Sequence, residues 1–259
     1  DYYKKITSQK CCSVFHYNES LGEKNSVKKA EQELKKRYES LENKYDKFLA
    51  ENYDYKANTY ETNKINLLSN PTSLYAKQPT VYYGLMYLAK NAKKEVKIHT
   101  PYIICNDYMY KELKNIKVPT TIMTNSAENN GNIFGAVDYL NHKKDIINTG
   151  VTIKEYEGGI SYHGKSMTID DDIAIVGSFN MDMRSAYIDT ELMLVINSKD
   201  INKQLKASME EYEKKAATVK NETEYSHIPE GMKMKELSDK KKNIKAWFGW
   251  AMNGLRFLF

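Results

Sequence analysis

The chain has 259 residues, with 39 lysines and arginines against 34 aspartates and glutamates, for a net charge of +5. That length holds one sizeable α/β core with appendages, or two small domains. The mild positive balance suits an anionic substrate or an anionic membrane face and is too weak to argue for nucleic acid.

Three cysteines in a chain this long do not make a disulfide framework. Cys11 and Cys12 are adjacent, so their Cα atoms lie ~3.8 Å apart, below the ~4.4–6.8 Å that a disulfide spans. The thiols therefore read as reduced, and the protein as facing the cytosol rather than secreted. The N-terminus has no signal-peptide pattern, and no run of 18 apolar residues occurs. The start at Asp1 rather than Met reads as a fragment, with any upstream anchor outside it.

Residues 1–22 carry no clear pattern. Over 26–50, Val27, Leu34, Leu41 and Phe48 recur every seven, with Tyr38 and Tyr45 between them, which predicts a charged amphipathic helix. Glu31 in the seam weighs against a coiled coil and for a helix lying on its own domain. Residues 51–78, polar and containing Pro71, read as a connector. From 79, Val81, Leu85, Leu88 and Ala89 share a helical face, and EVKIHT (95–100) alternates as a strand does. A short helix (107–115), a strand (120–125), a helix (133–147) closed by Gly150 and a strand (152–157) follow. Residues 166–170 and 173–178 flank a hairpin-like turn at Asp171-Asp172. ELMLVIN (191–197) is a further strand. Ser198 caps a last helix on which Ile201, Leu205, Met209, Tyr212 and Ala216 form a stripe. Strands alternating with helices, then a hairpin, predict an α/β fold with a mixed β-sheet flanked by helices.

Residues 218–232, around Pro229 and Gly231, read as a linker. The tail is basic at Lys233, Lys235, Lys240, Lys241, Lys242 and Lys245 and ends in AWFGWAMNGLRFLF. On a helical wheel Ile244, Trp247, Phe248, Ala251, Met252, Leu255, Leu258 and Phe259 face one way, with Lys242, Lys245, Asn253 and Arg256 opposite. This helix is too short to span a bilayer and suits the headgroup interface of an anionic membrane, over residues 233–259. The alternative is a helix docked on the protein's own core.

The most informative stretch is HGKSMTIDDDIAIVGSFN (163–180), which reads H-x-K-x4-D-x6-G-S-x-N. His163 and Lys165, two apart in an extended segment, point to one face. A hairpin then returns Ser178 and Asn180 beside them. A phosphate there meets an imidazole, an ammonium and an amide, which can stabilise charge on its equatorial oxygens. Imidazole can attack phosphorus or donate a proton near neutral pH. Ser178 adds a hydroxyl or supports the turn, and Asp170 braces the hairpin. Glu191, 28 residues past His163, is placed to orient the imidazole, or is an ordinary surface glutamate. The set needs no metal.

HGKSMTID…GSFN resembles the H-x-K-x4-D, G-S-x-N signature of the phospholipase D superfamily. HTPY (99–102), MTNS (123–126), GNIFGAVDYLNHKKDIINTGVTIKEYEG and NMDMRSAYIDTEL resemble the second half of bacterial cardiolipin synthases, and the likeness covers roughly residues 79–217. The basic aromatic tail is also common in that group. The resemblance implies a phospholipase D-like αβα sandwich divided as an N-terminal helix and connector (1–78, a remnant of an inter-domain region), a catalytic half-domain (79–217), and a linker with its basic amphipathic tail (218–259).

It also implies a mechanism without cofactor or metal. Two motifs meet at one site; one His attacks the phosphodiester and becomes a phosphohistidine, and the other protonates the leaving alcohol. A second alcohol or water then releases the phosphatidyl group. In a cardiolipin synthase donor and acceptor are both phospholipids, typically phosphatidylglycerol. His163, Lys165, Asp170, Ser178 and Asn180 match the motif, and Glu191 falls where the family places its His-orienting carboxylate. His163, in the second position, takes the general-acid role. Tyr102, Asn125 and Ser126 map near the cleft. The implied location is the bacterial cytoplasmic membrane, peripheral or anchored by a segment outside this chain.

The chain departs from the family in having one motif where two are needed. His16, His99, His142 and His227 lack the pattern. The second phospholipase D-like half is then supplied either in cis, by a segment outside this chain, which is favoured, or by a second copy. Two alternatives stand beside the lipid reading: a phospholipase D-like nuclease acting as a homodimer, and a non-catalytic lipid-binding half-module. The aromatic basic tail and the synthase-like flanks disfavour nucleic acid, and the intact motif disfavours the inert module.

Overall fold

The computed structural model describes residues 2–10, 12–14, 16, 18–49, 54–73, 75–249 and 251–258. The chain divides into two units, Asp1–Thr59 and Tyr60–Phe259. The first holds α1 (Tyr2–Thr7), α2 (Glu19–Gly22) and α3 (Asn25–Leu49). α3 matches the helix predicted over 26–50. Its stripe residues Leu34, Tyr38 and Leu41 are each more than half exposed. Three heptads broken by Glu31 offer little continuous apolar area. The Tyr45 and Phe48 side chains, and Cys11, lie outside the described residues.

The second unit is built on a mixed sheet, nine-stranded among the described residues, in the order β1-β9-β7-β6-β2-β4-β5-β10-β11. In chain order its strands and helices begin with β1 (Lys64–Ser69), α4 (Thr80–Lys90), β2 (Val96–His99), β3 (Ile103–Ile104), α5 (Asp107–Lys114), β4 (Thr120–Asn125), α6 (Ile133–Ile147) and β5 (Thr152–Tyr156). They continue with β6 (Ser166–Ile169), β7 (Ile173–Gly177), β8 (Met181–Asp182), α7 (Met183–Tyr187), β9 (Leu192–Asn197), α8 (Lys199–Glu213), β10 (Ala216–Val219), β11 (Tyr225–His227), α9 (Asp239–Phe248) and a final 3₁₀ helix (Ala251–Leu258). β2, β4 and β5 are parallel, whereas β6, β7, β9 and β1 run antiparallel to their neighbours.

Alternation within each strand decides which face meets which helix. Val96, Ile98, Ile122, Ile153, Met167, Ile169, Ile175, Met193 and Val195 join a single buried cluster with Val81, Leu85 and Met86 of α4, Met109 and Leu113 of α5, and Tyr139 and Ile146 of α6. α8 lies against β5, β6, β7 and β10. The result is the predicted mixed sheet between helices.

Four features differ from the sequence expectation. The stretch 51–78, read as a connector, contains β1, which pairs along its whole length with β9. The linker read over 218–232 contains the end of β10 and all of β11, paired to each other and, through β10, to β5. Ala216, placed on a helical stripe, opens β10 and is buried. β10 and β11 are too short for alternation to stand out, and β1, though six residues long, lies in a polar stretch. The tail is two elements, α9 and the 3₁₀ helix, rather than one continuous helix. Trp250 and Phe259 lie outside the described residues.

The β6–β7 hairpin is tightened at Asp170, whose backbone has a φ of 52°. Its carboxylate accepts the backbone N–H groups of Lys93 (2.9 Å), Lys94 (2.7 Å) and Glu95 (3.2 Å) ahead of β2. Burial works against the ion, but the three amides outweigh it and hold Asp170 below the usual carboxylate range. Replacing Asp170 by Ala removes three charge-assisted hydrogen bonds to amides that water can partly replace, and should lower unfolding free energy by about 1–3 kcal/mol. Urea denaturation measures this, and a loss under about 0.5 kcal/mol would refute the bracing role.

Candidate active site

The motif residues gather where the segment entering β6 and the turn leaving β7 lie side by side. Residues 161–165 are irregular, and β6 begins at Ser166. His163 is exposed and Lys165 is half-buried. The Lys165 Nζ lies 2.9 Å from His163 Nδ1 and donates to the His163 carbonyl at 2.9 Å. The Tyr102 ring meets the imidazole edge to face, 6.1 Å between centroids. Gly164 is required here because a Cβ would collide with the ring of Tyr162. Burial, then the Lys165 ammonium, lowers the pKa of His163. Burial likewise lowers that of Lys165, against the pull of Glu191 and Asp182. Among the described residues no carboxylate forms an ion pair with Lys165.

Gly177 lets β7 pass close to β9, since a Cβ would strike the Leu192 carbonyl and Met193. Ser178, exposed at the turn, donates to Glu191 and receives the Leu192 amide at 3.1 Å. Glu191 is buried and also accepts from Ser185 Oγ at 2.8 Å. No hydrogen bond or ion pair joins Glu191 to His163 among the described residues. In this arrangement its carboxylate ties the Ser178 turn to α7. Asn180 donates through its backbone N–H to Ser185 Oγ at 3.2 Å, and its buried Oδ1 has no partner.

Asn125 and Ser126 lie below the surface rather than along the cleft. Asn125 Oδ1 accepts the Tyr162 N–H at 2.7 Å, and its Nδ2 donates to the Tyr162 carbonyl at 2.9 Å. Ser126 donates to Glu157 at 2.5 Å. The Tyr162 hydroxyl meets His99 Nδ1 at 3.3 Å, and His99 Nε2 meets Glu213 at 3.2 Å. His99 is buried, which pushes its pKa down. Asp170 stands at the far end of β6, away from His163. The sequence thus brings His163, Lys165, Ser178, Asn180 and Glu191 to one end of the sheet, with Tyr102 against the imidazole.

The sequence pattern marks no role for several residues of this neighbourhood. Lys77, buried, donates to Thr190 Oγ1 at 2.6 Å, and Asn70 Nδ2 donates to the Ser185 carbonyl at 2.7 Å. Asp182, also buried, caps α7 by accepting the Ser185 N–H at 2.6 Å. Burial pushes its pKa up to about 6, over the opposing bonds from Ser185. Asp182 and Ser185 stand in the NMDMRSAY stretch, so the signal was present without a geometry to interpret it. Among the described residues no group of three or more His, Cys, Asp or Glu is arranged to hold a metal ion.

The family model of the cardiolipin synthase phospholipase D-like domain matches residues 85–212. Cardiolipin synthase 1 of Staphylococcus epidermidis is 30% identical over 159 residues, 60% of this chain and 32% of that protein. Cardiolipin synthase of Staphylococcus aureus is 31% identical over 129 residues, 49% of this chain and 26% of that protein. The chain therefore spans about a third or less of the length of these curated relatives. Among solved structures, phosphatidylserine synthase of Haemophilus influenzae superposes with a TM-score of 0.56 at 16% identity, covering 75% of this chain and 48% of that one. That likeness establishes the shared fold.

The raised pKa of Asp182 gives a signed prediction. A carboxyl whose pKa rises from 3.8 to about 6 on folding destabilises the fold increasingly as pH climbs through that window. Asp182→Asn keeps the cap and removes the charge. Its Tm should equal the wild type's below pH 3.8, exceed it progressively toward pH 6, and stay higher above. Thermal melts across this range check the prediction, and an equal offset at all pH values would refute it.

Proposed function

The chain is a member of the phospholipase D superfamily that resembles cardiolipin synthases over residues 85–212, and on that premise we propose that it supplies one half of a phosphatidyltransferase site that makes cardiolipin from phosphatidylglycerol through a phosphohistidine. The observation that carries this reading is Lys165: a half-buried ammonium beside an exposed imidazole, with no ion-pair partner among the described residues. Such a cation is set to receive a phosphodiester oxygen, with Asn180 and Ser178 alongside.

In the proposed cycle a His of the second half attacks phosphorus, forming a P–N bond as the bond to the leaving glycerol oxygen breaks. His163 gives its proton to that oxygen. The acceptor alcohol then passes a proton to His163 and attacks phosphorus, and the P–N bond breaks. Without substrate, burial and Lys165 favour neutral His163. A bound phosphodiester anion favours the imidazolium, so substrate binding itself loads the acid. Glu191 supports this by fixing the Ser178 turn.

A second half, from a segment outside this chain or a second copy, has a surface to meet. Leu67 of β1, Leu194 of β9 and Val176 of β7 lie opposite one another, on the face shared by Ile65. Ile65, Leu67 and Val176 are exposed, and this stripe runs into Gly177 and Ser178. A docked half would cover it while bringing a second His to Lys165. In a protein carrying both motifs, His163→Ala should lower kcat for phosphatidylglycerol by about 10²–10⁴-fold. A p-nitrophenyl phosphodiester, whose leaving group needs no proton, should lose far less. Equal losses on both substrates would refute the acid role, and full activity would refute the reading.

The tail supports a membrane location. No helix among the described residues is long and apolar enough to cross a membrane. Arg256 anchors the 3₁₀ helix through Asp138 (2.7 Å) and the Cys105 carbonyl (2.8 Å), while Trp247, Leu255, Phe257 and Leu258 remain exposed, as do Lys240, Lys242 and Lys245. Docking onto the core and presenting apolar side chains thus occur together. Co-sedimentation should show binding to phosphatidylglycerol vesicles that weakens with salt and is at least threefold weaker for Trp247→Ala. Equal binding to phosphatidylcholine vesicles would overturn the electrostatic part.

A further inference from the structure

We propose that Lys241 is a positioning residue that fastens the tail helix to the segment carrying His163. Lys241 is 7% exposed, whereas its neighbours Lys240 and Lys242 are exposed. Its Nζ donates to the carbonyls of Ala127 (2.8 Å), Glu128 (2.6 Å) and Asn130 (2.9 Å). An ammonium has three donors, and all three are used. The Glu128 carboxylate stands farther off at 3.7 Å, so main-chain dipoles supply the closest contacts. Glu128 also accepts the Ser238 N–H at 2.9 Å, which fixes the start of the same helix.

The three carbonyls belong to the turn between β4 and α6, and that turn grips the chain just ahead of His163. Asn129 Nδ2 donates to the Ile160 carbonyl at 3.2 Å and to Asn125 Oδ1 at 3.2 Å. The Gly131 N–H donates to Ser161 Oγ at 3.1 Å. Asn125 takes both polar groups of the Tyr162 backbone. Each residue from 160 to 162 is thus bonded to the 125–131 turn, and His163 is next. Without the ammonium, three carbonyls turned toward it lose their donors, and a turn has no strand ladder to replace them. The turn must then shift toward water, and its hold on 160–162 loosens. The tail that presents Trp247 and the imidazole beside Lys165 are, through Lys241, parts of one hydrogen-bonded assembly.

Hydrogen exchange on the full 259-residue chain tests this directly. Peptides covering residues 158–165 should exchange at least tenfold faster in Lys241→Met, with β2 and β9 unchanged. Lys241→Arg should restore most of the protection, and Lys242→Met should match the wild type. Unchanged exchange at 158–165, or acceleration spread evenly over the unit, would overturn the proposal. If Lys241→Met does not fold, Lys241→Gln is judged by the same criteria. The kinetic consequence rests on the proposed function: in a protein carrying both motifs, Lys241→Met should lower kcat at least fivefold with KM within twofold. If the wild type turns over no lipid, that reading fails, while the exchange result still decides the role of Lys241.

Discussion

The placement of the site depends on the register in which β6 is held between β2 and β7. Ser166 lies opposite His99 on one side and Val176 on the other. This leaves residues 163–165 beyond the carboxyl end of β2 and beside Gly177 and Ser178. A slip of one residue would turn Met167 and Ile169 out of the buried cluster and Thr168 into it. The apolar pattern of β6 and β7 therefore does more than stabilise the sheet. It fixes where the polar motif falls, at the carboxyl ends of the parallel strands, where open α/β sheets form crevices. Asp170 pins the same hairpin from its other end, so the motif is set by packing below and by three amide bonds behind.

Around that position the charges are separated by depth. Lys165 and His163 face outward, while Glu191 and Asp182 are buried and bonded to serine groups. The acids are near enough to favour the lysine's charge and are engaged elsewhere, so they do not neutralise it by direct contact. An anion approaching from solvent meets the cation first. This arrangement has a cost, visible in the raised pKa of Asp182 and in the unpartnered oxygen of Asn180. Unfavourable buried polar groups of this kind concentrate at functional sites.

The parts of this architecture that the sequence made legible are those with strong local codes. Alternation in EVKIHT and ELMLVIN, the helical face of Val81, Leu85 and Ala89, and the spacing of His163 and Lys165 all describe contacts within a few residues, and a short hairpin adds Asn180. What escaped were long-range pairings. β1 (KINLLS) sits in a polar stretch with Ile65 and Leu67 exposed, and its pairing with β9 and the packing of Leu68 on the core are what define it. Asn125 and Ser126 were placed near the cleft by resemblance, yet their partners, Tyr162 and Glu157, lie more than 30 residues away. Asn180 is a local case: its spacing marks it, whereas its bond to Ser185, five residues on, depends on the turn into α7.

On the proposed reading, the exposure of His163 is itself an argument for a second half. Displacement at phosphorus runs in line, with the attacking and leaving groups on opposite sides of the transferred group. The motif here occupies one end of one sheet, so it can address one of those sides. Water on the other side would compete with the acceptor alcohol and would screen the Lys165 charge. A partner that brings its own His and Lys, and covers Leu67 and Val176 as it does so, meets three needs in one contact. It supplies the opposite apical group, excludes water, and buries the apolar stripe at the sheet edge.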